Sequence, residues 1–549
     1  MSRSDSGRSD DSLLEWMLLW VLALCFGGSG LLWLVGGTAA VTTGGDWPST
    51  DVGDMGGVLL RLLDRPGTPS AAWPPTDRSL IPGALVFYGV AAIFGLLLAG
   101  TAYALLSLRS RTRTTSDPRS ARWADRRDLR PLMVRRPGEG RLVIGRVGRR
   151  LIAAEKRQSL IVFGPTQTGK TTGLAIPAIL EWDGPVVSTS VKMDLLRDTE
   201  YARRRRDGDV LAFDPAGVTG RASAGWSPLS ASLDWQGAQR TAAVLSSAGR
   251  SSASRTASDD FWQQMAMKML APYLFAAANA GMTMRDVLRW IDRRDMSTPG
   301  RLLDEIGDTD ARDAADASWA RPEEGLASTF ATCEATLAVF ADPTVDRATR
   351  ASDIHPVQML DGREHALYLC APAHEQQRLA PIFAALVLEL VNAVYLEAAR
   401  RAEPIEPGLL LVLDEAANIA PVPRLDTIAS TGAGQGLQLV SVFQDFAQVR
   451  SVYGHAAASI ASNHRAKLLL GGISDRDTLE YAVRVLGEEG TVQVSTSHDS
   501  AGRRSRSESV ALRPLAPPHS LRTLDVGEAL LIYGRLPAAR LQLRPWWDE

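Results

Sequence analysis

Hydrophobic positions along this chain fall into three regimes. In residues 13–41 and again in 80–108 apolar side chains predominate, with Glu15 the single charge. Each run can cover a hydrocarbon layer, which takes about 20 residues of helix. From Leu160 onward, short apolar runs alternate with helical stretches, the pattern of a parallel sheet covered by helices. The expected strands are Leu160–Phe163, Val186–Ser190, Val210–Phe213, Ala366–Cys370, Leu409–Leu413, residues 439–443, Ala466–Leu470 and residues 529–533. Between residues 259 and 350 the strand signal vanishes. Phe261, Trp262, Met265, Met269 and Tyr273 share one helical face there, and Leu326, Phe330, Leu337 and Phe340 recur at helical intervals. The expected organisation is a membrane region (1–108), a basic juxtamembrane segment (109–158), an α/β domain (159–258 and 351–549) and an all-helical insert (259–350). Serine-rich residues 246–258 read as a flexible connection, and polar residues 495–509 as a mobile hairpin tip or loop.

The strand at Leu160–Phe163 delivers the chain into Gly164-Pro165-Thr166-Gln167-Thr168-Gly169-Lys170-Thr171-Thr172. This is Gly-x-x-x-x-Gly-Lys-Thr, the phosphate-cradling loop or Walker A motif. Its glycines let backbone amides curl around an anion, and the following helix turns its positive end to the same charge. Lys170 is expected to reach the β- and γ-phosphates of ATP, and the Thr171 hydroxyl to ligate Mg²⁺. Composition disfavours a chance match, since the chain has 5 Lys against 55 Arg. Pro177 should kink or end the next helix early. Lys192, Asp194 and Asp214 fall just past strand ends, where α/β sheets bind ligands or helices are capped. The run at 203–206 reads as a solvated helix end.

Leu409–Leu413 is apolar and ends in Asp414-Glu415, the form of a Walker B strand. Asp414 would hold Mg²⁺, and Glu415 would polarise an attacking water. That pair favours a hydrolase over a small-molecule kinase, which needs no water-activating carboxylate. Gln444, at the end of the next strand, can contact the γ-phosphate and orient the water. The catalytic candidates are therefore Lys170, Glu415 and Gln444 in a P-loop NTPase.

Charge sets the expected membrane topology. The loop at 42–79 holds Asp46, Asp51, Asp54, Asp64 and Asp77 against Arg61, Arg65 and Arg78. Residues 109–150 hold 14 Arg against four acidic residues, a net of plus ten. The basic side stays in the cytoplasm, so both termini and the ATPase should lie inside, anchored by two retained spans. Contact of the basic stretch with anionic lipid explains it, and a DNA-guiding surface is the sharper account. Over the whole chain 60 basic residues meet 62 acidic ones, which excludes a polycation. Cys25, Cys333 and Cys370 are scattered, as are the seven His, so neither a disulfide framework nor a zinc site is expected.

These residues together resemble the type IV secretion coupling proteins of the TraG/TraD class, in a version similar to actinobacterial members. The resemblance covers nearly the full length: two spans, residues 164–171, Val191-Lys192-Met193-Asp194-Leu195 and Phe213-Asp214-Pro215. It continues through an insert opening with Phe261-Trp262, then Leu413-Asp414-Glu415-Ala416, Gln444, Gly471-Gly472-Ile473-Ser474-Asp475 and Leu530-Leu531-Ile532-Tyr533-Gly534. It implies a RecA-like, homo-hexameric ATPase ring with ATP at subunit interfaces and an insert that helps receive substrate. It also implies sequence-independent DNA, a relaxase or other secreted protein, and secretion-channel components as partners. One departure stands out. Many members carry an Arg between Walker B and the sensor Gln, and here the stretch is Ser430-Thr431-Gly432-Ala433-Gly434-Gln435-Gly436. Arg157, Arg424 and Arg465 are the substitutes considered. Two rival readings are an ATP-dependent docking platform for protein effectors and a septal-type chromosomal DNA translocase. Against the latter stand the short two-span membrane region and the expectation that no DNA-reading domain follows Trp547.

Overall fold

The computed structural model describes residues 27–111, 120–191, 193–248, 257–498 and 504–548. It divides into two compact units, Met1–Ser116 and Asp117–Glu549.

In the first unit residues 27–42 are helical, so part of the first expected span lies outside the described residues. The second span is the helix Ala84–Arg111. Its Ala84–Ala104 portion is long and apolar enough to cross a membrane, and almost none of it is buried. Between the two helices the chain builds a small core. Met55 and Val58 from the helix Met55–Asp64 pack there with Trp73, Phe87, Leu32 and Val35. The Asp77 carboxylate ties this connection together, accepting from Ser49 Oγ and from the Thr50 amide, each at 2.9 Å.

The second unit is organised by a sheet whose strands, in chain order, are β1 (Met133–Val134), β2 (Val143–Val147), β3 (Arg150–Ala153), β4 (Leu160–Phe163), β5 (Val186–Ser190), β6 (Val210–Phe213), β7 (Ala366–Cys370), β8 (Leu409–Leu413), β9 (Leu437–Phe443) and β10 (Ala466–Leu470). A separate antiparallel hairpin, β11 (Glu488–His498) and β12 (Arg504–Pro514), precedes the last two strands, β13 (Glu528–Tyr533) and β14 (Ala539–Gln542). The order across the large sheet is β1-β3-β2-β14-β13-β10-β4-β9-β8-β5-β7-β6. The block from β10 to β6 is parallel throughout. The other edge is antiparallel.

The parallel strands are mostly apolar because helices cover both faces, with Ser188, Thr189, Ser190, Gln438, Ser441 and Lys467 as the polar positions. Successive side chains enter opposite cores: Ile161, Phe163, Val187, Leu411 and Leu413 on one side, Leu160, Val162, Val186, Leu410 and Val412 on the other. The long helix Ala373–Arg401 has the composition of a membrane span but is mostly buried against the first of these cores. Between β6 and β7 stands a purely helical segment from the helix Ala257–Asn279 to the helix Pro343–Ala348. Tyr273 sits at its centre, edge-on to Trp319, with Phe330, Leu337 and Phe340 buried around it. Phe261, read with the same stripe, is exposed.

Several expectations are revised. β13 runs antiparallel to β10, because the chain returns through the helix Arg476–Leu486 and the hairpin and re-enters the sheet at the end where β10 left it. Residues 495–509 fall on the end of the β11–β12 hairpin, one of the two alternatives expected, with paired strand up to His498 and from Arg504; residues 499–503 lie outside the described residues. Most of the serine-rich connection, residues 249–256, also lies outside them. Arg203 is no solvated helix end. Its guanidinium is fully buried and donates to the carbonyls of Trp182 and Gly184 at 2.8 Å, Glu364 at 2.9 Å and His365 at 3.1 Å. The charge there closes the starts of β5 and β7, where orphan carbonyls would otherwise be buried without donors.

Candidate functional site

The order β4-β9-β8 places the strand ending in Gln444 between the strand that feeds the phosphate loop and the strand that ends in Asp414. All three run parallel, so their C-terminal ends form one edge. That edge opens into a cavity of about 400 Å³, lined by Thr166, Gln167, Gly169, Lys170, Thr171 and Thr172 from the loop and by Asp194, Asp414 and Glu415 facing it. The volume is in the range that holds a small-molecule ligand.

Within the loop, Gly169 has φ +85°, a conformation that side chains rarely adopt, and Gln167 shares it at +65°. The Thr168 hydroxyl donates to the Pro165 carbonyl at 2.9 Å and closes the turn. The Lys170 ammonium curls over the loop, donating to the carbonyls of Gly164 at 2.5 Å and Pro165 at 2.6 Å. After Lys170 the helix begins with a wide π-type turn, Thr171–Ala175, and continues as Ile176–Glu181. Pro177 lacks an N–H, and the widened turn ahead of it accommodates that loss.

Thr171 Oγ1 lies 3.2 Å from Asp414 Oδ2. The Asp414 carboxyl is raised to about 6 by burial, then by the neighbouring charges of Asp194 and Glu415. A hydroxyl and a buried carboxylate, each a hard oxygen donor, fit Mg²⁺, which keeps several waters and takes further ligands from phosphate. Among the described residues no group of three or more His, Cys, Asp or Glu is placed to hold a metal. The protein's share of such a site would therefore be Thr171 and Asp414.

Glu415 adopts φ +53°, a strained conformation for this residue. Its side chain accepts from Asn418 Nδ2 at 3.3 Å, Asn418 Oδ1 lies 3.5 Å from Gln448 Nε2, and Gln448 Oε1 accepts from the Gln444 amide at 2.9 Å. Gln444 thus stands next to the loop through its backbone, although its side chain does not line the cavity. Phe443, just before it, accepts from the Gly164 amide at 3.2 Å.

None of the three arginines considered from sequence lines the cavity. Arg157 precedes β4 and lies 3.7 Å from Glu406. Arg465 precedes β10 and pairs with Glu155 at 3.1 Å. Both sit at the N-terminal edge of the parallel strands, a strand length of about 13 Å or more from the loop. Arg424 is exposed, at φ +54° ahead of the helix Leu425–Thr431. Asp214 caps a turn, accepting from the amides of Val218 at 3.1 Å and Thr219 at 2.7 Å. Lys192 lies outside the described residues. Sequence reasoning missed Val526, Gly527, Leu543, Pro545 and Trp547, which also line the cavity. They lie more than 350 residues from the loop in sequence, and no motif marks them.

A family model described as Type IV secretory system Conjugative DNA transfer matches residues 122–548. The conjugal transfer protein TraG of Escherichia coli is 25% identical over 395 residues, covering 66% of this chain and 61% of its own length. VirD4 of Agrobacterium fabrum is 24% identical over 419 residues, covering 73% and 60%. The chain thus spans about three fifths of these relatives. Among solved structures, the bacterial conjugative coupling protein TrwB in its unbound form aligns with a TM-score of 0.59 at 19% identity, over 78% of this chain and 94% of the other. TrwB in complex with ADP and Mg²⁺ aligns with a TM-score of 0.59 at 19% identity, over 78% and 95%. These likenesses establish the fold.

Proposed function

Because this chain belongs to the type IV secretory system conjugative DNA transfer family, we propose that it is a membrane-anchored ATPase coupling hydrolysis to the passage of DNA, with an attached relaxase, into a secretion channel. The observation that carries the reading is the convergence of Lys170, Thr171, Asp414 and Glu415 on one cavity at the ends of the parallel strands β4 and β8, which flank β9. Lys170 turns from the loop carbonyls to the β- and γ-phosphates. Thr171 and Asp414 would hold Mg²⁺, which when bound would neutralise phosphate charge. Glu415, aimed by Asn418, accepts a proton from the attacking water, and Gln444, whose side chain would have to turn into the cavity from the adjoining strand end, orients that water. The TrwB complex with ADP and Mg²⁺ supports the same ligand pair here.

No Arg lines the cavity among the described residues. A neighbouring subunit supplies that charge in the hexamer we propose. The unburied helix Ala84–Ala104 and the basic stretch after it support anchoring with both termini and the ATPase in the cytoplasm and residues 42–79 outside.

The full chain in detergent tests this reading. ATP turnover should rise with DNA of unrelated sequences, and DNA binding should fall by orders of magnitude between about 50 and 200 mM salt as counterions are released. Lys170→Ala should abolish turnover, and Glu415→Gln should bind ATP while turnover falls about a hundredfold or more. ATP turnover with no DNA binding at low salt would instead favour a docking platform for proteins.

A further inference from the structure

β13 begins, and β14 ends, at the same edge as the phosphate loop, because Leu470 pairs with Ala529 and Glu528 with Gln542. The reversal of β13 thereby carries residues 526–527 and 543–547 to the cavity. There the later segment is fastened along the helix that follows the loop. The Trp546 amide donates to the Thr172 carbonyl at 3.1 Å. Arg544 pairs with Glu181, both nearly buried. Leu543 packs so closely on Gly173 that a Cβ there would stand 2.9 Å from Leu543 Cβ.

These attachments leave Trp547 next in line, lining the cavity and 60% exposed. Val526, 83% exposed, lines it too. Large apolar groups held in water by a fastened backbone, in a cavity whose other walls carry phosphate and cation chemistry, describe half of a binding site for a flat apolar ring. An aromatic face gains from stacking on a base of any sequence, because every base has a π-face.

We propose that Trp547 forms the nucleobase subsite of the ATP site, its indole stacking on the purine while the triphosphate lies on residues 164–172. The inference rests on the nucleotide reading above and adds to it the group that distinguishes a nucleotide from a bare polyphosphate. Stacking on a π-face also means that ATP and GTP should be held alike by this residue.

The test compares two probes, MgATP and Mg-tripolyphosphate, by titration calorimetry on the full chain in detergent. Trp547→Ala should weaken MgATP about tenfold or more, the loss expected for one base–aromatic stack. It should leave tripolyphosphate affinity unchanged, which also reports an intact loop. Trp547→Phe should retain most of the MgATP affinity. Lys170→Ala, as control, should weaken both probes. If Trp547→Ala leaves MgATP affinity unchanged while Lys170→Ala lowers both, the base subsite is wrong and the phosphate reading stands. If Trp547→Ala weakens both probes equally, the segment acts by bracing the loop helix, and the proposal is overturned. If Lys170→Ala weakens neither, the nucleotide reading itself fails.

Discussion

At the N-terminal edge of the parallel strands, buried polar groups are tied to backbone carbonyls. Arg203 satisfies the carbonyls of Trp182, Gly184, Glu364 and His365. Lys467 donates to the His464 carbonyl at 2.6 Å, and His464 itself bridges Ile460 O at 2.7 Å and Ser441 Oγ at 3.1 Å. At the C-terminal edge the pattern inverts. Glu415, Gln167 and Met193 hold left-handed backbone, a buried carboxyl is raised to about 6, and Trp547 stands in water. The first edge spends its donors on the protein's own carbonyls, leaving Arg203 Nε and Gln438 Oε1 as buried atoms without a partner, whereas the other has groups whose natural partners are phosphate, cation and base. The strain at Gln167, Met193 and Glu415 lies where a ligand would relieve it. The contrast predicts that substitutions at the first edge cost stability and spare turnover, and each test below can break it.

The largest expected effect is at Arg203. Replacing it by Ala strips the donor from several buried carbonyls at once and opens a large void. The cost should be about 3–5 kcal/mol, as for removal of one member of a buried charged network. Denaturant unfolding of the full chain would measure it. Any folded fraction should turn over ATP at the wild-type rate. A variant of unchanged stability but lost turnover would place Arg203 in the working machinery.

His464 comes next, and its effect depends on pH. Burial, reinforced by the positive charge of Lys467, lowers it to about 4, against an opposing hydrogen bond to Ile460. The Ile460 carbonyl can only accept, so Nδ1 carries the proton and Nε2 accepts from Ser441. A depressed pKa means that the unfolded chain takes up the extra proton first. The stabilisation is therefore fully present above about pH 6.5 and is lost as pH falls toward 4. The loss should reach roughly 1–3 kcal/mol. His464→Gln should flatten this slope in melting temperature between pH 7 and pH 4.5. An unchanged slope would show that other groups set the acid sensitivity.

The same division explains how much was legible in advance. Six of the eight strands read from the sequence begin and end where expected, since strands covered on both faces are rich in apolar residues. β9 starts two residues earlier, at Leu437, because Gln438 is buried there, its amide donating to the Gln158 carbonyl. β2 and β3 were hidden by Arg146, Arg149 and Arg150, which read as membrane-facing charge, and β14 is too short for its alternation to register. Arg203 was misread because a run of four arginines does not reveal which of them face carbonyls, as Arg203 and Arg206 do. The loop and the two carboxylates were legible because their chemistry needs fixed neighbours in sequence. Trp547 needs only a place in space, set by the reversal of β13.

The smallest expected effect is at Arg465, and it bears most directly on where the missing arginine comes from. Its guanidinium lies 3.1 Å from Glu155 and over the Tyr533 ring, 5.4 Å from the ring centre. The Tyr533 hydroxyl in turn accepts from the Glu155 amide at 3.0 Å. Nearly half of the Arg465 side chain is exposed, so water screens the ion pair. Ion pair and ring contact together should contribute no more than about 1 kcal/mol. Arg465→Ala should therefore lower stability by that amount or less, and should leave DNA-stimulated ATP turnover intact. A loss of turnover by a hundredfold with an unchanged melting temperature would mean something else. The N-terminal edge of one subunit would then reach the nucleotide of the next, and Arg465 would supply the charge that the cavity lacks. Arg424→Ala, measured beside it, separates the two sources, because among the described residues Arg424 makes no ion pair that its loss would break, so a fall in turnover would report its role in the assembled ring.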